Sequence, residues 1–86
     1  MTNTNFPKKS VLTLDKLAPG SHFCIQRIRA HGEVGQRLLD MGFIRNATGQ
    51  VLREALFRDP IEVILNGSRI SLRRSEARLI EVILIS

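Results

Sequence analysis

Residues 61–73 read Ile61-Glu62-Val63-Ile64-Leu65-Asn66-Gly67-Ser68-Arg69-Ile70-Ser71-Leu72-Arg73. Asn66-Gly67 is the favoured pair for a two-residue type I′ hairpin turn. Both central residues need positive φ there, and the twist of the turn matches the right-handed twist of the strands it joins. A two-residue loop sets the register: Leu65 opposite Ser68, Val63 opposite Ile70, Ile61 opposite Leu72. Successive side chains in a strand point to opposite faces. Ile61, Val63, Leu65, Ile70 and Leu72 therefore share one face, the predicted core side. Glu62, Arg69, Ser71 and Arg73 share the other, with Ile64 among them.

On the C-terminal side, Ser75 is placed to cap a single helical turn, Glu76 to Leu79. Ile80 to Ile85 reads as a last strand with Ile80, Val82 and Leu84 inward. On the N-terminal side, Arg58-Asp59-Pro60 is a break, because a residue before proline is pushed out of helix. Thr48 to Phe57 reads as a strand weakened at its start by Gly49. Arg45-Asn46 is a turn, and Asn46 tolerates positive φ. Glu33 to Met41 is the clearest helix: Val34, Leu38 and Met41, with Leu39 beside them, form an apolar stripe. Gly42 follows where a left-handed C-terminal cap is wanted. Ser21 to Ala30 alternates until Ile28 breaks the period, which predicts a strand with a bulge near Gln26-Arg27. Pro19-Gly20 is a turn. Val11 to Leu17 is a short apolar segment, too short for a full helix. Residues 1–10 are polar and aperiodic and read as a disordered tail, leaving residues 11–86 as one domain. Several short strands with glycine turns in so few residues predict a mainly β fold, a small closed or half-closed barrel.

Composition narrows the functional classes. The chain has 86 residues, 43% hydrophobic and 24% charged, which is globular composition with room for one domain. One cysteine, Cys24, rules out an internal disulfide and the cysteine-rich zinc folds. It fits a reduced, intracellular compartment. No apolar run is long enough to span a membrane, and the N-terminal residues lack the apolar core of a secretory signal. The formal net charge is +5. The ten arginines are scattered, with only Arg73-Arg74 adjacent, and there is no Trp or Tyr to interleave with them. Base stacking is thus unsupported, and nucleic acid is not the expected partner. A basic surface meeting an acidic partner, or lying beside an anionic membrane leaflet, accounts for the charge as well.

Candidate chemical groups are few. His22 and Cys24 lie two apart on a strand and face the same side, and nitrogen with sulfur ligands suits Zn²⁺ or Fe²⁺. No third or fourth ligand stands near them, and His31 is the only other histidine. The expectation is no resident metal or cofactor, with weak divalent-metal binding at His22, Cys24 and His31 as the alternative. A His-Cys catalytic pair lacks an orienting acid, so no catalytic residue is assigned and the chain is not expected to be an enzyme. Gly32-x-x-Gly35 lacks the Gly-Lys-Ser/Thr ending of a phosphate loop. The plainest anomaly is Ile64, Ile83 and Ile85, which fall opposite the core positions. Either the tail or a helical turn covers them, or they form an apolar patch for a partner protein, with Arg69 and Arg73 as its polar rim.

Five fragments in one order carry a family resemblance. They are Leu14-Asp15-Lys16-Leu17-x-Pro19-Gly20, Arg37-Leu38-Leu39-Asp40-Met41-Gly42 and Asp59-Pro60-Ile61-Glu62-Val63. Gly67 to Leu72-Arg73 and Glu76-Ala77-x-x-Ile80-x-Val82 complete the set. Together they resemble the FeoA family, ferrous iron transport protein A, over roughly Leu14 to Ile83. The resemblance implies an SH3-like barrel of about five strands with a helix inserted after the first and a second short helical turn. The module is similar to the C-terminal domain of DtxR-type metal-dependent repressors, although no DNA-binding helix-turn-helix precedes it here. The resemblance also implies a small cytoplasmic accessory protein that binds and modulates FeoB, the GTPase-coupled ferrous iron transporter, and so meets the membrane only through it. The alternatives are a small basic barrel that binds nucleic acid and a stand-alone metal-sensing domain. Arg45-Asn46 replaces the family's usual Pro-Gly. Leu56-Phe57-Arg58-Asp59-Pro60 replaces its frequent Pro-Leu-Gly-Asp-Pro, so a loop of different shape is expected there.

Overall fold

The computed structural model describes residues 11–54 and 58–85. The expected tail and Phe57 lie outside these. Six strands form one antiparallel sheet in the order β1-β6-β2-β3-β4-β5. They are β1 (Val11–Thr13), β2 (His22–Ile28), β3 (Thr48–Glu54), β4 (Ile61–Leu65), β5 (Ser68–Leu72) and β6 (Ile80–Leu84). Helix α1 (Gly32–Asp40) joins β2 to β3, and α2 (Arg74–Ala77) joins β5 to β6. The sixth strand beyond the expected five is β1, which pairs with β6 and runs into a 3-10 turn at Leu14–Lys16.

The hairpin has the predicted register, with Leu65 opposite Ser68, Val63 opposite Ile70 and Ile61 opposite Leu72. Asn66 and Gly67 take φ of 50° and 83°, as a type I′ turn requires. In β2 the pairing with β6 shifts register between Ile25 and Arg27, a bulge where the alternation fails. The inner faces of the strands meet in one core that holds Phe23, Ile25, Val51, Ile61, Val63, Leu65, Leu72, Ile80 and Val82. Leu84 departs from the expectation. It stands opposite the buried Phe23 but is exposed, because β1 flanks β6 only as far as Ile83 among the described residues.

Helix α1 ends in a Schellman motif. The Phe43 N–H donates to Leu38 C=O (3.1 Å) and the Gly42 N–H to Leu39 C=O (2.9 Å), with Gly42 at φ 106°. The accompanying apolar contact falls between Leu38 and Phe43, both fully buried. Docking of the helix differs from the predicted stripe. Leu38 and Gly35 face the core, while Val34 and Leu39 are exposed and Met41 is half-buried. Gly35 is the reason. A Cβ there would lie 2.6 Å from the Ala30 carbonyl oxygen, so the helix packs its bare backbone against the segment that joins β2 to α1.

Helix α2 starts one residue before Ser75 and is capped differently from the prediction. Arg73 is the N-cap, its N–H donates to the Glu76 carboxylate (3.0 Å), and Ser75 lies inside the first turn. Arg74, whose side chain is largely buried, ties this helix to the rest. Its Nε donates to Arg58 C=O (2.8 Å), one guanidinium nitrogen to Asp15 C=O and the other to the Glu54 carboxylate. Its backbone N–H donates to Asp59 Oδ1 (2.9 Å). Arg58 holds φ 67°, the left-handed region that glycine enters more readily.

Candidate functional site

The outer face of the sheet can be assembled strand by strand. One row across it runs Val11, Ile83, Cys24, Thr48. The next runs His22, Gln50, Ile64, Arg69. Ile85 follows β6, and its N–H donates to His22 C=O (2.9 Å), which holds it beside the second row. His22, Gln50, Ile64 and Ile85 consequently border one shallow groove of about 310 Å³, floored at Gly49.

The three isoleucines of the predicted patch lie on this face but differ in cover. Ile64 and Ile83 are half-buried by their cross-strand neighbours, and β1 supplies part of the shield over Ile83. Ile85 is 52% exposed, with no such neighbour on its far side among the described residues. Arg69 stands directly across from Ile64 and reaches Glu62 at 3.8 Å, which places it at the rim. Arg73 follows β5 with extended backbone at the far end of this face, where it borders, with Ser71, a second concavity that Val34, Pro60 and Leu79 also line. Sequence reading missed Val34 as a surface residue because a glycine, carrying no hydrophobic signal, occupies the inward position next to it.

His22 and Cys24 do share the outer face, as the spacing predicts. His31 is elsewhere, at the residue preceding α1. Among the described residues no group of three or more His, Cys, Asp or Glu side chains is placed to hold a metal ion.

The arginines are distributed over shared carboxylates. Glu81 receives Arg27 (3.1 Å) and Arg29 (3.2 Å), Glu62 receives Arg53 (3.1 Å) and Arg69, and Glu54 receives Arg58 (3.5 Å) and Arg74. Arg37 of α1 pairs with Glu76 of α2. Each shared glutamate leaves one positive charge in excess, so the basic character is spread around the barrel.

The FeoA domain matches residues 12–84, nearly all of the described chain. This chain belongs to the FeoA family. It is 39% identical over 74 residues to a protein of Campylobacter jejuni named as Fe(2+) transport protein A, covering 86% of this chain and 100% of that one. It is 37% identical over 75 residues to an Fe(2+) transport protein A/Fe(2+) transporter FeoB fusion protein of Porphyromonas gingivalis. That match covers 87% of this chain and only 9% of the fusion. The solution structure of FeoA from Chlorobium tepidum has a TM-score of 0.81 at 37% identity, covering 87% of this chain and 71% of that one. Two more distant structures share the fold. Zinc-complexed FeoA of Stenotrophomonas maltophilia, described as an SH3 domain protein, has a TM-score of 0.72 at 22% identity over 86% of this chain and 89% of that one. A manganese-dependent transcriptional repressor has a TM-score of 0.81 at 20% identity over 94% of this chain and 45% of that one. The FeoA barrel is thus SH3-like, and among the described residues no helix is long and apolar enough to cross a membrane.

Proposed function

We propose that this FeoA-family chain is a cytoplasmic accessory protein of ferrous iron uptake that binds the transporter FeoB and modulates it, with no catalysis of its own. The observation that carries this reading is the fused relative, in which a stretch similar to this chain shares one polypeptide with FeoB. Fusing two modules turns their association into an intramolecular event at millimolar effective concentration, an arrangement that suits proteins that work in contact. The outer face supplies the contact: Ile85, Ile64 and Ile83 as apolar surface and Arg69 at the rim. A polar rim around an apolar centre is the usual anatomy of a protein interface. The barrel would then act by preferring one conformation of the transporter, shifting that equilibrium by its differential affinity.

The experiment is direct binding of the purified chain to the isolated cytosolic region of FeoB, with and without guanine nucleotide. Saturable binding whose strength changes with nucleotide state is expected. Absence of binding in every nucleotide state overturns the reading.

A further inference from the structure

Strand β1 is an edge of the sheet among the described residues, and its open side has a definite hydrogen-bonding face. The Ile85 N–H donating to His22 C=O fixes the alternation between β6 and β2. Antiparallel partners exchange backbone bonds at every second residue. The pair Cys24–Ile83 is therefore bonded like His22–Ile85, and the backbone groups of Val82 turn to Leu12 instead. It follows that the N–H and C=O groups of Val11 and the N–H of Thr13 point away from the sheet, while the Thr13 C=O, at the N-cap of the 3-10 turn, accepts that turn's first bond. No loop or turn bond among the described residues uses the Val11 groups or the Thr13 N–H.

A groove runs along this edge, bordered by Val11, Leu12, Thr13, Lys16, Arg29 and Arg78. Its charge is one-sided where solvent meets it. The side chains of Arg29 and Arg78 are 57% and 68% exposed, whereas their carboxylate partners Glu81 and Asp15 are sunk to 16% and 8%. Lys16 is exposed on the same side.

We propose that this groove takes an extended, acidic peptide segment of a partner protein, which adds to the sheet as a further strand beside β1. Main-chain bonds to Val11 and Thr13 supply the pairing, and alternate acidic side chains meet Lys16, Arg29 and Arg78. This is strand addition, in which backbone bonds give affinity and flanking side chains give specificity. Charge decides the occupant. The chain's own N-terminal residues include Lys8 and Lys9 and would be repelled. A second copy would bring the same basic groove to the contact. The site adjoins the isoleucine face where Val11 meets Ile83, but Thr13→Pro changes no residue of that face, so the two can fail separately.

The test titrates the full-length, ¹⁵N-labelled chain with a blocked synthetic heptapeptide of alternating Glu and Val. An alternating Lys and Val peptide and phosphatidylglycerol vesicles are the comparisons. Amide shifts centred on Val11, Leu12, Thr13 and Arg29 with the acidic peptide alone are expected. Arg29→Gln combined with Arg78→Gln weakens binding at least tenfold. Thr13→Pro, which removes an outward N–H at an edge where proline is tolerated, weakens it by a similar factor. Thermal melts of each variant confirm that it is folded. Equal binding of the Lys peptide, or shifts elsewhere on the barrel, overturns the proposal. So does a Thr13→Pro variant that is folded and binds normally. Shifts with vesicles but none with the acidic peptide overturn it in favour of a lipid surface.

Discussion

The ring of Phe23 lies across the bare backbone of Gly49, its partner on the neighbouring strand. A Cβ at Gly49 would stand 2.7 Å from the ring and 2.4 Å from the Ile64 carbonyl oxygen, so both the core and the β4 backbone exclude it. Gly49→Ala should therefore destabilise the domain by roughly 1–3 kcal/mol, the usual cost of overpacking. Urea unfolding checks this, and a midpoint unchanged from the parent would mean that Phe23 is free to move aside.

Leu38 is the one large side chain that α1 buries completely, and it meets Phe43 beneath the helix cap. Leu38→Ala should cost about 2–5 kcal/mol, much of the stability of a small domain. Val34→Ala, on the exposed face of the same helix, should change stability by less than about 0.5 kcal/mol. Equal losses from the two variants would show that the helix docks on the other side.

Arg74 joins α2 to the 3-10 turn, to Glu54 and to the loop before β4 through one guanidinium. Arg74→Met keeps the length of the stem and removes the donors. A loss of about 2–3 kcal/mol is expected, since a half-buried carboxylate and two carbonyls lose a charged partner. Combining it with Glu54→Gln should cost less than the sum of the two single changes. Strict additivity in calorimetry would contradict the coupling.

Ile85 is the most open member of the isoleucine face. Ile85→Lys should leave stability within about 0.5 kcal/mol, as surface changes do. It should weaken binding to the cytosolic region of FeoB by tenfold or more, about 1.4 kcal/mol. Ile64→Lys with Ile83→Lys should abolish that binding and lower the melting temperature as well, because both positions are half-buried. Normal binding by both variants would move the interface off this face.

What could be read from residues alone follows from how local the cause is. Asn66-Gly67 determines a register by itself, and two strands inherit their faces from it. Gly42 and Asn46 declare positive φ for the same kind of reason, and the broken period at Ile28 marks the β2 bulge. Where partners are distant in sequence, the reading fails. Leu84 alternates correctly and faces Phe23, but among the described residues β1 does not extend far enough to cover it. Val34 and Leu39 look like core until Gly35 is seen to bring the helix onto Ala30. Ser75 looks like a cap, but the helix starts before it, with Arg73 at the N-cap. The outer face was legible through Ile64, Ile83 and Ile85, because an apolar side chain out of phase needs a cause outside its own strand. The β1 edge was not legible, since three residues carry too little pattern.

Val11 and Ile83 are cross-strand neighbours, so their Cα atoms stand roughly 5 Å apart. Chain entry and chain exit are thereby clasped side by side at one corner of the barrel. A polypeptide can be attached at either end, or the barrel spliced into a longer chain, without disturbing the core strands β2 to β5. That geometry makes the module portable, in keeping with its likeness both to a short stand-alone relative and to a small part of a long fusion.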